Sequence, residues 1–400
     1  MKVMMLGWEL PPHNSGGLGV ACLQLSKALA RAGADINFIL PYRHNHDYDF
    51  MTVSSALDIS PTLTELAGPY DSRSFLTQQL DNTRLNIHDQ QWLYALNVSQ
   101  LARQIDFDII HAHDWLTFRA ALMARQVKNR PLVLHVHSIE RDRAGGEHGN
   151  PWVREIEEHS MLMADHIYAV SERTRQMIIE DYKIPASKVG VAHNSIDTDS
   201  FEPIEPGNDY RYLQEMKRQG WRVVVNVGRL TIQKGLPHLL EAARIVVEKQ
   251  PKTIFLFVGD GEQRDELIEM AADKKIGQNV LFAGFQRGKR WRDAYSIADM
   301  FVMPSVSEPF GLTPIEAAAY GTPSIVSWQS GVSEVFRNCL KLDYWDTDLM
   351  ADKLIGALRS QSFLDELSDN ARDEISRYSW DHTASKIIDK YRFFSEAVTV

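Results

Sequence analysis

Two glutamates flank a Pro-Phe-Gly turn in the segment SEPFGLTPIEAAAYGTP, residues 307–323. Glu308 precedes the turn, and Glu316 lies among residues of high helix propensity. Carboxylates accept hydrogen bonds from sugar hydroxyls, and the amides that begin a helix bind phosphate oxygens. However, Thr313, Pro314 and Glu316 also fit the N-cap, N1 and N3 positions of a capping box, which would give Glu316 a structural role. The segment alone leaves both interpretations open.

A pair of cations follows another predicted strand. The segment GRLTIQKG at 228–235 comes directly after the strand 222–227 and contains Arg229 and Lys234, and Gly235 opens the next predicted helix. An arginine binds two phosphate oxygens with its planar fork, and a lysine adds a point charge, so this pair suits a diphosphate. Two cations in a loop are often only solvated surface. A position between a strand and a helix N-terminus favours the binding role.

Histidines and an aspartate end two strands of the first half of the chain. His113 and Asp114 follow one predicted strand, and His137 ends the next. The carboxyl ends of parallel strands meet at one edge of a sheet, so we expect these three side chains to share a site. His111 and His135 are expected to point the other way and to pack as core histidines.

A glycine-rich turn, NSGGLG at 14–19, follows the first predicted strand. Gly16 and Gly17 permit positive φ and close approach of a ligand to the backbone, and the helix predicted from about Leu18 offers free amides to an anion. A tight strand-to-helix turn is an equally good interpretation of this segment. The sequence contains neither GxGxxG, GxxxxGK[ST] nor GxSxG, and it lacks HExxH and a cysteine pair, so we expect no metal site.

Strand and helix patterns alternate along both halves of the chain. This alternation predicts an α/β protein with two parallel, doubly wound sheets whose carboxyl ends bind ligands. The segment 43–88 is polar and aperiodic and is predicted to be an excursion, and the acidic segment 195–209 is the candidate linker. The predicted strands are 2–6, 36–40, 107–110, 131–136, 166–170 and 188–192, then 222–227, 253–258, 280–283, 300–303 and 324–327.

Composition limits the classes of partner. The chain has 400 residues, is 44% hydrophobic and 24% charged, and carries a formal net charge of −10, which argues against broad nucleic-acid binding. No apolar run is long enough for a transmembrane segment, and the N-terminus does not resemble a signal peptide. Cys22 is expected in the core, and the small number of cysteines favours a cytoplasmic location. The basic run 287–292 is expected to be a solvated loop, with peripheral membrane contact as the alternative.

Taken in order, the motifs resemble the retaining glycosyltransferases of family 4, and especially the bacterial and archaeal glycogen and starch synthases. The resemblance covers nearly the whole chain. Its most specific element is the glutamate pair with seven residues between its members, preceded by the Arg…Lys-Gly loop. The motifs are GGLG at 16–19, HAHDW at 111–115, HVH at 135–137, HNSIDTDSF at 193–201, GRLTIQKG at 228–235 and SEPFGLTPIEAAAYG at 307–321.

The resemblance implies a role for each candidate residue. Arg229 and Lys234 would hold the diphosphate of a nucleotide sugar and stabilise the leaving nucleotide. Glu308 would contact the donor sugar's hydroxyls, and Glu316 would contact the ribose. His137 would lie against the donor sugar near the reacting carbon. The other implied members are Gly17 near the phosphates, Asp114 on the acceptor side, and the backbone amides of Phe310, Gly311 and Leu312.

The implied fold is GT-B, with two Rossmann-like domains facing each other across a cleft. Residues 1–200, completed by a C-terminal helix at about 380–400, would form the acceptor-side domain, and 201–379 the nucleotide-sugar domain. The implied reaction moves a hexose, expected to be glucose, from a nucleotide-diphosphate sugar to an α-glucan or related acceptor. Attack on the front face would retain the anomeric configuration. No metal or other cofactor is expected, because the cation pair stabilises the leaving group.

Several alternatives remain open at this level. A mannosyl- or glucosyltransferase acting on a lipid, small sugar or surface polysaccharide would carry the same motifs. A sugar-nucleotide epimerase or a non-catalytic sugar-nucleotide-binding protein are further alternatives. The loop 138–150, charged and rich in glycine, suggests a lid or acceptor loop. The sequence does not decide the nucleotide base, the acceptor or the oligomeric state.

Overall fold

A computed structural model describes the chain from residue 1 to 398, except for residues 15, 44, 60–85, 147, 148, 198–200, 204 and 206. Most of the predicted excursion at 43–88 and parts of the predicted linker therefore lie outside the described residues.

The chain divides into two compact units. Unit 1 comprises Met1–Glu140, His148–Ser195 and Ser379–Val400, and unit 2 comprises Arg141–Glu147 and Ile196–Tyr378. The assignment of acceptor to the first domain and nucleotide sugar to the second stays a prediction.

Unit 1 contains a seven-stranded sheet with the order β3-β2-β1-β4-β5-β6-β7, and every neighbouring pair is parallel. Its inner strands are buried along almost their full length, as expected for a sheet covered on both faces. The strands are β1 (Lys2–Leu6), β2 (Asp35–Leu40), β3 (Thr52–Ser55), β4 (Ile109–His113), β5 (Leu132–Val136), β6 (His166–Ala169) and β7 (Val189–Val191).

Unit 2 contains a six-stranded sheet with the order β10-β9-β8-β11-β12-β13, again parallel throughout. The two sheets therefore have the same topology. In each sheet the first three strands lie in reverse order on one side, and the fourth strand begins a second run, in chain order, on the other side of the first strand. The strands are β8 (Arg222–Val227), β9 (Thr253–Val258), β10 (Val280–Gly284), β11 (Met300–Met303), β12 (Ser324–Ser327) and β13 (Leu340–Leu342).

Helices follow most of the strands and cover the sheets. They are α1 (Gly17–Arg31), α2 (Ile87–Gln104), α3 (Trp115–Val127), α4 (Glu140–Arg143), α5 (Pro151–Met163), α6 (Glu172–Asp181), α7 (Arg211–Arg218), α8 (Leu236–Lys249), α9 (Arg264–Asp273), α10 (Gly288–Ile297), α11 (Thr313–Ala319), α12 (Val332–Val335), α13 (Thr347–Arg359), α14 (Gln361–Ile375) and α15 (Trp380–Val398).

The predicted α/β class and doubly wound sheets are confirmed, and β8, β9, β11 and β12 have the predicted bounds. Two edge strands were not predicted. One is β3, inside the 43–88 excursion, which pairs with β2. The other is β13, with three residues. Edge strands are short and need no continuous apolar run, so their sequence signal is weak.

The predicted solvated loop at 287–292 is wrong, because α10 begins at Gly288. Lys289 forms an ion pair with Asp293 within the helix, and Arg292 pairs with Glu202 and Glu205 of the acidic segment. The basic run and the predicted linker thus neutralise each other. The described part of that segment from Ile196 onward belongs to unit 2.

The C-terminal helix α15 packs within unit 1. Trp380, Ile387 and Tyr391 are buried in one core cluster with α1, and Arg31 forms an ion pair with Asp381 at 2.6 Å. Cys22 is buried in the same cluster, as predicted.

Candidate active site

In unit 2 the strand order reverses between β8 and β11, which lie side by side. In doubly wound sheets a ligand crevice opens at this point, beyond the carboxyl ends of the two strands, because the following helices leave on opposite faces. The loop after β8 carries Arg229 and Lys234, and the loop after β11 carries Glu308. The fold therefore brings the two predicted motifs to one edge of the sheet.

Lys234 and Glu308 meet directly at this edge. The Lys234 Nζ lies 2.5 Å from Glu308 Oε2, and the two side chains are only 18% and 11% exposed. Ser305 Oγ donates a second hydrogen bond to the same oxygen at 3.2 Å. Glu308 Oε1 accepts no hydrogen bond from the part of the chain that the structure describes. One carboxylate oxygen is thus fixed and the other is available to a ligand.

Gly235 explains why the cation loop can adopt this shape. It has φ 63° and ψ 26°, the left-handed conformation that favours glycine, at the junction with α8. A Cβ atom at this position would lie 2.1 Å from the carbonyl oxygen of Pro304. Gly235 therefore lets the loop after β8 pack against the loop after β11. The sequence identified the glycine as a helix start but not this close contact.

Arg229 lies on the same loop and is partly exposed. Its Nη2 donates to Gln233 Oε1 at 3.4 Å, and Gln233 is buried. Both predicted cations are therefore at the switch point, but only Lys234 contacts Glu308 in the structure.

The turn between Glu308 and α11 is held by its backbone. The amide of Glu308 donates to the carbonyl of Gln329 at 2.9 Å, and the carbonyl of Phe310 accepts from Val332 N at 2.7 Å. Gly311 has φ 96°, and a Cβ atom at this position would lie only 2.9 Å from the Met303 side chain. The amides of Gly311 and Leu312 donate to no other described residue. These two N–H groups are therefore available to an anionic ligand.

The predicted capping box at the start of α11 is wrong. Leu312 occupies the N-cap position without a side-chain hydrogen bond, so Thr313 and Pro314 are the first helical residues. Glu316 instead accepts a hydrogen bond at 2.9 Å from Tyr295 Oη. Thr313 cannot cap because the helix already includes it. The structural role that competed with ligand binding by Glu316 is thereby removed, although Tyr295 engages one of its oxygens.

Burial raises the pKa of Glu316 to about 7, while the hydrogen bond from Tyr295 acts in the opposite direction. Part of the residue still reaches solvent, whereas Tyr295 is completely buried. Desolvation of a carboxylate disfavours its charged form, which accounts for the direction. Glu316 therefore changes charge near neutral pH.

In unit 1, Asp114 occupies a strained position between β4 and α3. Its φ of 59° and ψ of 167° are almost restricted to glycine. Its Oδ1 accepts hydrogen bonds from the amides of His137, at 2.6 Å, and Ser138, at 3.2 Å. These bonds connect the ends of β4 and β5, so Asp114 fixes the backbone on which His137 sits. The predicted acceptor-side role of Asp114 stays a prediction.

The four strand-end histidines form one stack, which corrects the expectation that His111 and His135 point away from His113 and His137. Residues two apart in a strand face the same side of a sheet, so each pair shares a face. Neighbouring ring centroids lie 4.5 Å apart for His135 and His137 and 4.7 Å apart for His111 and His113. The expectation that His111 and His135 are core residues is confirmed, because both are fully buried.

Burial lowers the pKa of every histidine in this stack, to about 3 for His137 and well below the usual range for the other three. Nδ1 of His113 and Nε2 of His137 share a hydrogen bond at 2.9 Å. Two neutral rings make this bond only as complementary tautomers, one donating and the other accepting. The stack is thus neutral at physiological pH.

Two sets of side chains could present ligand atoms to a metal ion within 4.8 Å of one another: Cys22, His113 and His137, and His111, His113 and His135. In the first set, His113 and His137 are hydrogen-bonded to each other. In the second set, Nδ1 of His111 is hydrogen-bonded to Tyr391 and could bind a metal only if that bond were broken. The expectation that the reaction needs no metal stays a prediction.

The glycine-rich turn differs in detail from the prediction. The helix α1 begins at Gly17, and Gly16 has φ −164°, an extended conformation open to any residue. The crowded glycine is Gly19, whose amide donates to Glu9 Oε1 at 3.2 Å and whose Cβ would lie 2.8 Å from Asn14 Cβ. Gly17 is exposed at the helix start, and its predicted role near phosphates stays a prediction.

Two known protein families match successive parts of the chain. Residues 15–200 match the family described as Glycosyltransferase Family 4, and residues 214–374 match Glycosyl transferases group 1. The chain belongs to the family 4 glycosyltransferases. It is 27% identical to an uncharacterised glycosyltransferase of Methanocaldococcus jannaschii, over 99% of both chains. It is also 27% identical to a glycogen synthase of Mycobacterium tuberculosis, over 84% of this chain and 80% of the relative.

The fold of this glycosyltransferase is also found in solved structures. Anabaena HepE, determined in complex with UDP-glucose, aligns with a TM-score of 0.71 over 98% of this chain and 99% of HepE, at 19% identity. This similarity, with the two parallel Rossmann-like sheets, identifies the fold as GT-B. Among the described helices of the glycosyltransferase, none combines the length and apolar character that crossing a membrane requires.

Proposed function

We propose that this glycosyltransferase is a retaining hexosyltransferase that moves glucose from a nucleotide-diphosphate sugar to an α-glucan or a related saccharide. Unit 2 would bind the sugar nucleotide, and unit 1 the acceptor. The observation that carries the proposal is the ion pair between Lys234 and Glu308 at the switch point of unit 2. This pair places a cation that can bind a phosphate group beside a carboxylate that can accept hydrogen bonds from sugar hydroxyls.

Glu308 suits a donor sugar because its two carboxylate oxygens have different surroundings. Lys234 and Ser305 both contact Oε2 and hold the side chain in one orientation. Oε1 is left to accept from sugar hydroxyls, and a charged acceptor makes stronger hydrogen bonds than a neutral one. A carboxylate fixed before the ligand arrives loses little conformational freedom on binding. We therefore assign Glu308 to the donor sugar.

The leaving diphosphate would be held by charge and by backbone. Lys234 and Arg229 supply the cations, and the amides of Gly311 and Leu312 supply two hydrogen-bond donors. Fixed donors stabilise charge that develops in the transition state without reorganising. With only seven residues, α11 adds little dipole, so the amides themselves are the expected contacts. Glu316 would contact the ribose from the same helix.

His137 would act as a hydrogen-bonding group, because burial keeps it neutral. A ring with a pKa of about 3 does not protonate a leaving phosphate at neutral pH. Charge stabilisation then falls to the cations of unit 2. In the proposed front-face reaction the acceptor oxygen forms the new bond to the anomeric carbon as the bond to phosphate breaks. The acceptor proton passes to the leaving phosphate, so no protein nucleophile is needed.

The choice of glucose and glucan rests on similarity as well as chemistry. The Mycobacterium tuberculosis relative is named a glycogen synthase, and the HepE structure contains UDP-glucose. The motif HAHDW and the opening of the chain, MKVMMLGWELPP followed by GGLG, resemble the synthases most. These similarities support the sugar and acceptor of the proposal.

The test is a matrix of donors and acceptors. UDP-, ADP- and GDP-glucose and GDP-mannose are incubated with maltoheptaose, glycogen and monosaccharides, and products are identified by mass spectrometry and by the configuration of the new linkage. We expect release of nucleoside diphosphate and an α-linked hexose on a glucan. Glu308→Gln should lower kcat about 10²- to 10³-fold, because it removes the charge that fixes the sugar and Lys234.

A matched control is Glu241→Gln, which removes a carboxylate paired with Lys274 and Arg244 elsewhere in unit 2. This variant should retain wild-type activity. Consumption of donor without any acceptor would instead indicate an epimerase. Tight donor binding with no turnover across the whole matrix, or an unchanged rate in Glu308→Gln, would contradict the proposal.

A further inference from the structure

Two exposed tryptophans lie on adjoining loops of unit 2, outside the proposed donor site. Trp328 follows β12 and is 53% exposed, and Trp345 follows β13 and is 56% exposed. The strands β12 and β13 are parallel neighbours, so both loops leave the same edge of the sheet. Single exposed apolar side chains are common on protein surfaces. Two tryptophans on loops that are tied to each other call for a more specific explanation.

Hydrogen bonds fix the two loops together. The amide of Trp328 donates to the carbonyl of Leu342 at 2.9 Å. Gln329 Nε2 donates to Asp343 Oδ1 at 2.7 Å, and Gln329 Oε1 accepts from the amide of Tyr344 at 3.4 Å. The backbones that carry the two indole rings therefore form one connected surface.

Ring contacts also order the side chains. Lys341 Nζ lies 5.3 Å from the centroid of the Trp328 ring and donates to the carbonyl of Ser333 at 2.7 Å. The Trp345 ring packs edge-on against Tyr344, with centroids 4.9 Å apart. A preorganised aromatic side chain binds a ligand at a lower entropic cost than a mobile one.

The same surface continues into the proposed donor site. The carbonyl of Gln329, next to Trp328, accepts from the amide of Glu308 at 2.9 Å, and Ser330 forms a β-bridge with Glu308. A ligand bound at the tryptophans would thus lie on the loop that also holds the donor carboxylate. We define the tryptophan surface as Trp328, Gln329, Lys341, Asp343, Tyr344 and Trp345.

We propose that the tryptophan surface binds a saccharide chain and holds a polymeric acceptor away from the reaction centre. The proposal rests on the proposed function, in which the acceptor is an α-glucan. A sugar ring has an apolar C–H face and a rim of hydroxyls. Indole rings cover the apolar face, while the amide, carboxylate and ammonium groups of Gln329, Asp343 and Lys341 on the same surface can donate to and accept from the rim. Cation and anion are both present, which suits an uncharged ligand.

Affinity electrophoresis in gels that contain glycogen measures this binding without catalysis. We expect the wild-type protein to be retarded by glycogen, and Trp328→Ala and Trp345→Ala each to weaken the apparent affinity about tenfold, as truncation of a central tryptophan commonly does. Trp328→Phe should restore most of the retardation. The matched control is Trp92→Ala, a tryptophan 50% exposed on α2 of unit 1, which should leave it unchanged.

Transfer rates with maltose as a short acceptor separate this inference from the proposed function. Trp328→Ala should change kcat with maltose less than twofold and raise the KM for glycogen about tenfold. A wild-type protein that transfers glucose but is not retarded by glycogen would overturn the inference and leave the proposed function intact. Equal retardation of wild type, Trp328→Ala and Trp345→Ala would also overturn it. A change in sedimentation of Trp328→Ala, without a change in retardation, would mean that the surface contacts another protein chain instead.

Discussion

Glu316→Gln tests the electrostatics of the site most directly. Glu316 is partly buried on α11 and accepts a hydrogen bond from Tyr295. A glutamine has nearly the same shape, and its side-chain oxygen can accept the same bond. The substitution therefore removes the ionisable group and preserves most of the packing. We expect it to stabilise the protein at alkaline pH and to have a much smaller effect at acidic pH.

The size of the effect follows from the pKa. Burial raises the pKa of Glu316 from an ordinary 4.5 to about 7. A carboxyl whose pKa is raised in the folded state stabilises that state fully below the ordinary pKa, and the contribution is lost as the pH rises through the folded pKa. At 1.36 kcal/mol for each pH unit, the loss approaches about 3 kcal/mol at pH 8 and is about 1 kcal/mol at pH 5. Because the side chain is partly exposed and solvent screens its charge, these free energies are upper limits.

Scanning calorimetry at pH 5 and pH 8 measures the prediction and resolves separate transitions if the two units unfold independently. For a unit of this size, about 2–3 kcal/mol corresponds to a rise in Tm on the order of 5–10 °C at pH 8. The control is Glu366→Gln, an exposed glutamate on α14, which should not change the Tm at either pH. If Glu316→Gln raised the Tm equally at both pH values, or lowered it at pH 8, the desolvation argument would be refuted.

Three further predictions concern backbone geometry and the histidine stack. Gly235→Ala should destabilise unit 2 by about 3 kcal/mol or more in urea unfolding, because its Cβ meets a carbonyl oxygen at 2.1 Å, whereas Gly288→Ala, also at positive φ but in open space, should cost only about 1 kcal/mol. Asp114→Asn should fold but lower kcat about 10- to 100-fold, since it weakens the bonds that position His137, and an unchanged kcat would contradict this role. All four stacked histidines are neutral when folded, so stability should fall as pH drops below about 6.5. His135→Phe removes no hydrogen bond made within the described residues. It should reduce the slope of the unfolding free energy against pH by the equivalent of about one proton, and a slope equal to that of the wild type would refute the argument.

Much of the site could be predicted from local sequence. Arg229, Lys234 and Glu308 were identified because each follows a strand with a clear apolar run, and strand ends are where doubly wound sheets bind ligands. The structure brings Lys234 and Glu308 into contact across 74 residues of sequence. Their contact depends on which strands are neighbours, and strand order is not encoded in any single segment.

The failed predictions have two causes: contacts from distant parts of the chain, and a misapplied rule. The capping box at Thr313, Pro314 and Glu316 satisfies a local pattern, but Tyr295 from another helix engages the carboxylate, and the helix begins one residue earlier than the pattern requires. The histidine error came from applying strand alternation to residues two apart. In the glycine turn, the sequence favoured Gly16 and Gly17, yet the crowded position is Gly19, because Glu9 and Asn14 fold back over it.

The sequence by itself determined the class of the sheets, the ends of most strands and the residue types proposed to bind a phosphate and a sugar, because periodicity and turn chemistry act over a few residues. The tertiary structure alone decided that Lys234 neutralises Glu308, that Glu316 titrates near neutral pH, and that Asp114 adopts a strained conformation to hold His137. These properties depend on desolvation and on distances between atoms far apart in the chain. Such distances are set only when the sheets and their connecting loops have packed.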